Sequence, residues 1–304
     1  MEPHPNISIQ ALAEADDEDV AHLLHRSLSH WYETRLNQGS RFGQSHLPFI
    51  HFPRLYRRLD PEHSLGAWVD RQLVGVAFLH PRRTHVSAGI IATDPAASGC
   101  GIAKTLMTRA CSLADHHGLP LRLVSSLLNL DSFSLYSRCG FQPVAVFQDI
   151  KLTVPREGFA PVAISDVRIL TAEPEHAAEI ALAESQHCGI HRPEDHRAIL
   201  SGTVLPWEGL VARDTSGTVV GSIAFTRHAE WSMPGPGFAR DESVMTALLL
   251  RALDQLRGRE VVTLIPSTAR DLLATMYRLG GRNIELHALQ VRGQWDPQSG
   301  ICIP

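Results

Sequence analysis

Lysine is almost missing from this chain: Lys104 and Lys151 are the only two in 304 residues, and arginine supplies the rest of the 28 positive charges against 32 acidic ones. With a formal net charge of −4, the composition argues against a general nucleic-acid binder, which presents a basic face. Cysteine is sparse and odd in number, and Cys100, Cys111, Cys139, Cys188 and Cys302 show no C-x-x-C spacing. That argues against a disulfide framework or zinc ribbon and leaves reduced thiols in a cytoplasmic setting as the expectation. No apolar run reaches membrane-spanning length. The opening "MEPHPNISIQ" lacks a basic region followed by an apolar one, so it does not read as a secretory leader. Metal chemistry is not expected either: Cys188, His191 and His196 in "HCGIHRPEDH" fit no closed zinc spacing and read as a polar loop.

What is present is ordinary globular material, 44% hydrophobic and 20% charged. At about 150 residues per domain, the length suggests two domains. In the first half "NISIQAL" reads as a strand, and the acids of "AEADDEDVAHLLHRSLSHWYETRL" open a helix with Val20, Leu23, Leu24 and Leu28 on one face. A short helix is expected at "FPRLYRRL". "SLGAWVD" and "LVGVAFLHP" flank a tight hairpin at Arg71-Gln72, and "HVSAGIIAT" is the next strand. A glycine loop then leads into a helix ending at Gly118, followed by a buried strand "LRLVSS", a helix "LDSFSLYSRC" and a strand or strand pair in "PVAVFQDIKLTV".

"PREGFAPVAISD" reads as a linker, and the sequence beyond it echoes the first half. "EGLVARDTSGTVVGSIAF" echoes "LGAWVDRQLVGVAF", and "VVTLIPSTARDLLATMYRLGG" echoes "LRLVSSLLNLDSFSLYSRCG". Val124 aligns with Ile265, Tyr136 with Tyr277 and Gly140 with Gly281, all at an offset of 141. A shared offset indicates duplication of one α/β unit. The expected boundaries are 1–153 for the first copy, 154–165 for the linker and 166–304 for the second copy.

The stretch "IIATDPAASGCGIAKTLMTRA" has the layout of a phosphate cradle, where a strand ends in a small-residue loop and a helix N-terminus offers backbone amides to an anion. A Walker loop fails because Ala103 stands where its second glycine belongs. A dinucleotide fingerprint fails because Lys104 follows Gly99-x-Gly101-x-x. "DPAASGCGIAKTLM", followed some thirty residues later by "NLDSFSLYSRCGF", instead resembles the GNAT superfamily of acyl-CoA-dependent N-acyltransferases. The phosphate loop Q/R-x-x-G-x-G/A of that family is matched by Ser98-Gly99-Cys100-Gly101-Ile102-Ala103. Its pattern N-x-x-A/S-x-x-L-Y-x-x-x-G-F is matched by Asn129, Ser132, Leu135, Tyr136, Gly140 and Phe141.

The resemblance spans roughly residues 6–153 and implies a mixed, mostly antiparallel sheet flanked by helices in each of two tandem domains, an α/β (α+β) class. It implies acetyl-CoA or another acyl-CoA as co-substrate. The pyrophosphate would lie at Ser98–Ala103, the pantetheine arm along Ile91, Ala92 and Thr93 with Asn129 and Ser132 beside it, and Tyr136 would protonate the departing thiolate. Gly99 and Gly101 would let the backbone approach the phosphates, with Ala103 letting the helix start close behind. Ser98 departs from the family's Gln or Arg and removes one phosphate contact. Cys100 reads as an inert thiol of the loop, since no pKa-lowering neighbour is evident.

The family often carries its base as a glutamate on the strand before the loop, and "HVSAGIIATD" has none. Asp94 reads as a loop cap. His80 and His85 could serve as base and Ser125 or Ser126 could orient a water, with none singled out. "HWYETRLNQGSRFG" and "FIHFPRLYRRLD" fall where the family builds its acceptor wall. Trp31, Tyr32, Phe42 and Phe52 would supply apolar surface and Arg41 a carboxylate contact, or all of them could be ordinary packing.

At the offset of 141 the second copy places Arg240, Glu242 and Arg270 where the first has Gly99, Gly101 and Asn129. A degenerate copy that no longer binds coenzyme A is expected, with a small-molecule amine as acceptor of the first. Two other readings stay open: a non-catalytic acyl-CoA sensor and a protein-lysine acetyltransferase.

Overall fold

The computed structural model describes residues 6–39, 41–160, 164–203, 206–228 and 232–304. Its fold is mixed α/β, with sheets flanked by helices, and the chain divides into two compact units, Met1–Leu123 and Val124–Pro304.

The first unit runs β1 (Ser8–Ala11), α1 (Asp17–Leu36), α2 (His51–Leu59), β2 (Ser64–Val69), β3 (Gln72–Pro81), β4 (Val86–Thr93), α3 (Ile102–His117) and the start of β5 (Leu121–Ser126). β1 to β4 pair antiparallel in chain order, and β5 joins β4 in parallel through Val86–Leu121 and Ser87–Arg122. The hairpin turns on Asp70 and Arg71, both left-handed at φ 48° and 66°, one residue earlier than expected because Gln72 already pairs with Val69. Between Ala77–Ile91 and Leu79–Ala88 the β4 strand carries one residue more than β3. This is a bulge at Gly89-Ile90, where the strand bends. Val20, Leu23 and Leu24 of α1, Val76 to Leu79 of β3, and Ile102, Leu106 and Met107 of α3 are buried.

One glycine here is required by packing. A Cβ on Gly75 would lie 2.7 Å from Ile102 Cγ2. The bare backbone of β3 therefore lets the first residue of α3 press onto the sheet, and this fixes where the helix begins.

The second unit holds the rest of β5, then α4 (Leu130–Arg138), β6 (Gln142–Thr153), β7 (Val167–Ala172), α5 (Ala177–Cys188), α6 (Pro193–Leu200), β8 (Trp207–Asp214), β9 (Val219–Thr226), β10 (Met233–Ala239), α7 (Glu242–Asp254), β11 (Glu260–Pro266), α8 (Arg270–Arg278), β12 (Arg282–Arg292) and β13 (Ile301–Ile303). Five of its strands form an antiparallel sheet in the order β13-β10-β9-β8-β7. β9 is buried along its whole length, and α7 packs Val244, Met245, Leu248 and Leu249 into the core of this unit. β6 is a single strand lying between β11 and β12, antiparallel to both.

That pairing explains why the compact units part at 123/124 and not after 153: β6 closes its hydrogen bonds with strands from the end of the chain. The repeat and the packing units are different divisions. Residues 161–163 of the expected linker lie outside the described residues.

The repeat itself is real in the elements, but its offset is 140. Helices start at Leu130 and Arg270, strands at Gln142 and Arg282, and left-handed glycines stand at Gly140 (φ 87°) and Gly280 (φ 91°). The offset of 141 is therefore corrected. The Gly280-Gly281 pair and a tyrosine one place late drew the alignment across by one residue. The counterpart of buried Tyr136 is buried Met276, whereas Tyr277 is exposed.

Candidate functional site

Between β4 and α3 the chain passes through residues 94–101. Pro95 to Ala97 form one short turn capped by Asp94, whose Oδ1 accepts the Ala96 amide at 2.9 Å while Oδ2 accepts Arg26 Nε at 3.1 Å. Asp94 is thus the loop cap the sequence suggests. Gly99 and Gly101 follow at φ 81° and 80°, and a Cβ on either would meet nothing within 4 Å. Gly101 is the residue immediately before α3. Among the described residues, the amides of Gly99, Gly101, Ile102, Ala103 and Lys104 donate to no protein acceptor; the first backbone bond of the helix is Thr105 N to Gly101 O at 2.9 Å. These donors surround exposed glycines at the positive end of a sixteen-residue helix, which suits a polyanion.

Ser98 and Gly99 are exposed. Cys100 and Ile91 instead pack against the cluster of Ala67, Val74, Ala77, Ile102 and Leu106, so the thiol serves the core beneath the loop. Ile91, Ala92 and Thr93 pair with Ala77, Val76 and Gly75 of β3, and β4 keeps its register with β5 only at Val86 and Ser87.

In the second unit Asn129 caps α4, its Oδ1 accepting the Ser132 amide at 3.1 Å. The cap uses the oxygen and leaves the side-chain NH2 to donate. One turn on, the Tyr136 phenol is buried and bonded to the Ser132 side chain; burial pushes its pKa above 10.0 against the opposing pull of that bond. Tyr136 is a proton donor held neutral. Ser125 Oγ accepts Gln290 Nε2 at 2.8 Å, and Ser126 Oγ accepts the Leu128 amide at 3.2 Å in a turn. Both hydroxyls therefore have structural partners.

In the first unit the two histidines separate. His85 is bonded on both nitrogens, to Thr84 Oγ1 at 3.0 Å and Ser87 Oγ at 2.9 Å. His80 is bonded on Nδ1 alone, to Asp60 Oδ2 at 2.6 Å. Asp60 also takes both ends of the Arg82 guanidinium at 2.9 Å. Burial pushes the Asp60 carboxyl up, but the bonds from His80 and Arg82 outweigh it and hold the pKa below 3.8. Sequence reasoning missed Asp60 because twenty residues separate it from its partner.

The expected acceptor wall is a row of rings. Tyr32–Phe42, Phe42–Phe49, Phe49–Phe52 and Phe52–Tyr56 follow one another at 5.1, 5.6, 6.1 and 6.2 Å, and Tyr56 stands 4.8 Å from His80. Trp31 meets Tyr32 edge-on, and Arg41 lies over the Tyr32 ring at 4.3 Å. Phe49 and Tyr56 are members the sequence did not single out.

Residues 25–141 match the model of the acetyltransferase (GNAT) family. Over these residues the chain is similar to that family. Among curated protein sequences, none matches this chain. Among solved structures, a Pyrococcus horikoshii protein assigned as an acetyltransferase superposes with a TM-score of 0.73 at 16% identity, covering 97% of this chain and 92% of its own. A GCN5-related N-acetyltransferase from Sphaerobacter thermophilus gives 0.64 at 17%, covering 96% and 98%. A tandem GNAT protein from the clavulanic acid biosynthesis pathway gives 0.62 at 16%, covering 96% and 100%. At these identities the likeness is one of fold, and it extends over nearly the whole chain.

In the later half the corresponding connection is shorter. Only Arg240 and Asp241 separate β10 from α7, against residues 94–101 in the first half. The expectation that arginine and glutamate replace the glycines in place is corrected: the loop itself is gone. Asp241 Oδ1 accepts the Val244 amide at 2.9 Å, and Glu242 Oε2 accepts the amides of Asp271 and Leu272 at 2.8 and 3.0 Å. Carboxylates of the chain thus occupy the N-termini of both α7 and α8. Of "HCGIHRPEDH" only residues 189–192 are loop, between the end of α5 and the start of α6. Arg192 and His196 at the start of α6 clamp the buried Glu184 of α5 at 2.6 and 2.7 Å, while Cys188 Sγ donates to the Ile301 carbonyl oxygen. Among the described residues, no helix is long and apolar enough to cross a membrane.

Proposed function

We propose that this chain is an acyltransferase that moves an acetyl or other short acyl group from acyl-CoA to a small-molecule amine by direct attack. The observation that carries this reading is the set of undonated amides at Gly99, Gly101, Ile102, Ala103 and Lys104 around two open glycines. These groups would hold the pyrophosphate, and the backbone of Ile91 to Thr93 would lie along the pantetheine. The amine nitrogen attacks the thioester carbonyl carbon, the C–S bond breaks, and the thiolate takes the phenolic proton of Tyr136. Asn129 and Ser132 are the proposed pantetheine and phenol partners on α4. The later half, with carboxylates in both helix N-termini, is proposed to bind no acyl-CoA.

Calorimetry with acetyl-CoA tests this reading. One site per chain is expected. Gly101→Asp keeps a residue tolerant of positive φ but sets a carboxylate among the amides, and it should weaken binding at least ~10-fold. Two sites, or unchanged binding in the variant, would refute the assignment. A second reading, an acyl-CoA sensor without turnover, is favoured by Ser98 and by the lack of a glutamate on β4. Binding without thiol release from wild type would select it.

A further inference from the structure

His80 has only 7% of its surface exposed, yet its Nε2 has no hydrogen-bond partner. A buried polar atom left idle is costly, so it marks a place where something else binds. The direction it faces is defined by a glycine. A Cβ on Gly89 would lie 3.3 Å from His80 Nε2 and 3.4 Å from the Phe78 carbonyl oxygen. Gly89 itself is exposed and sits in the β4 bulge. The missing side chain therefore leaves only the bare backbone of Gly89 between the surface and a buried, lone imidazole nitrogen with a carbonyl oxygen beside it. Around the other side of the ring, Asp60 fixes Nδ1 at 2.6 Å, Arg82 fixes Asp60, and the Tyr56 ring closes the row of aromatics at 4.8 Å.

We propose that His80 is the general base of the acyl transfer, with Nε2 taking the proton of the acceptor beside the bare backbone of Gly89, and that Asp60 and Arg82 position it. This inference rests on the acyltransferase reading above. With Nδ1 donating to the carboxylate, Nε2 is the unprotonated nitrogen. The acceptor X–H gives its proton to Nε2 as X bonds to the thioester carbon, and the resulting imidazolium is balanced by Asp60. The thiolate leaves with the proton of Tyr136. The Phe78 carbonyl can accept a second N–H of an amine but offers nothing to an alcohol that has already surrendered its one proton. The aromatic row ending on His80 suits a primary amine with an apolar body.

The test uses the full chain and acetyl-CoA alone, with water as acceptor; thiol release and calorimetric binding are the two readouts. His80→Gln is expected to bind acetyl-CoA as wild type does and to release thiol ~100-fold more slowly. That deficit should narrow as pH rises and hydroxide replaces the base. Asp60→Asn should slow release with acetyl-CoA binding unchanged, because Nδ1 loses the carboxylate that fixes the ring; loosening of the fold alone would weaken binding as well. Gly89→Ala sets a methyl 3.3 Å from Nε2 and should slow release without altering binding, and His85→Gln should leave the rate unchanged. Equal release by His80→Gln and wild type at every pH would overturn the base and leave the acyltransferase standing. Binding without release from wild type would overturn the base in favour of the sensor. Absence of binding would remove the acyltransferase reading and the base with it. If His80→Gln fails to fold, Gly89→Ala and Asp60→Asn decide.

Discussion

Tyr136 illustrates how a single side chain can be both core and chemistry. Its ring packs against Phe141 at 5.9 Å, and its hydroxyl bonds Ser132. Burial raises its pKa, so the phenol stays protonated across the range in which an amine loses its proton. Tyr136→Phe should preserve the fold and acetyl-CoA affinity and lower kcat ~100-fold or more. In wild type the alkaline loss of turnover that reflects Tyr136 should fall above pH 10.0, the ordinary value; a pH–rate profile to pH 11 checks it. At this scale the sequence was informative about local geometry: Gly99 and Gly101 take positive φ just before α3, and Asn129 caps α4. It was uninformative where partners are far apart in the chain. His80 could not be ranked above His85 until Asp60, Thr84 and Ser87 were seen to bind them differently.

Individual elements depend on contacts just as specific. Gly75→Ala would drive a methyl to within 2.7 Å of Ile102 Cγ2 and lift the first turn of α3 from the sheet. We expect ~1–3 kcal/mol of lost stability, typical of overpacking, together with weaker acetyl-CoA binding, measured by urea melts and calorimetry. The clamp joining α5 and α6 behaves differently. Burial pushes the Glu184 carboxyl up, but Arg192 and His196 overcome this and bring it to about 2, below the ordinary 4.5. Its contribution is therefore complete above pH 4.5 and is lost as pH falls through about 2. Arg192→Met, which strands a buried carboxylate, should cost ~3–5 kcal/mol in a urea melt at pH 7. Sequence periodicity gave most elements to within a residue or two, because strong strands and capped helices advertise themselves locally. It missed β10, whose Pro and Gly content in "MPGPGFA" looks like a turn. It also missed α6, read as a polar loop, because the reason for its histidine and arginine is the buried glutamate of another helix.

For the molecule as a whole, the consequential strand is β6. Its Ile150 and Leu152 are buried, and its two edges are taken by β11 and β12. A fragment ending at residue 153, which the repeat would suggest as a self-sufficient enzyme, would carry β6 with both edges bare. Such a fragment should aggregate, and size-exclusion chromatography beside the full chain checks this; a soluble monomeric fragment would show that β6 needs neither partner. The repeat was legible because the order of elements survives in composition. The crossing of strands between halves was not, since hydrogen-bond partners more than 100 residues apart leave no local trace.

The β6 pairing also bears on inheritance. A duplicated domain that has lost its ligand loop is ordinarily free to decay, and nothing penalises its deletion. Here the later copy completes a strand of the earlier one. A change in β11 or β12 of the second half is therefore also a change at an edge of β6 in the first, so deletion of the second half would not leave the first intact.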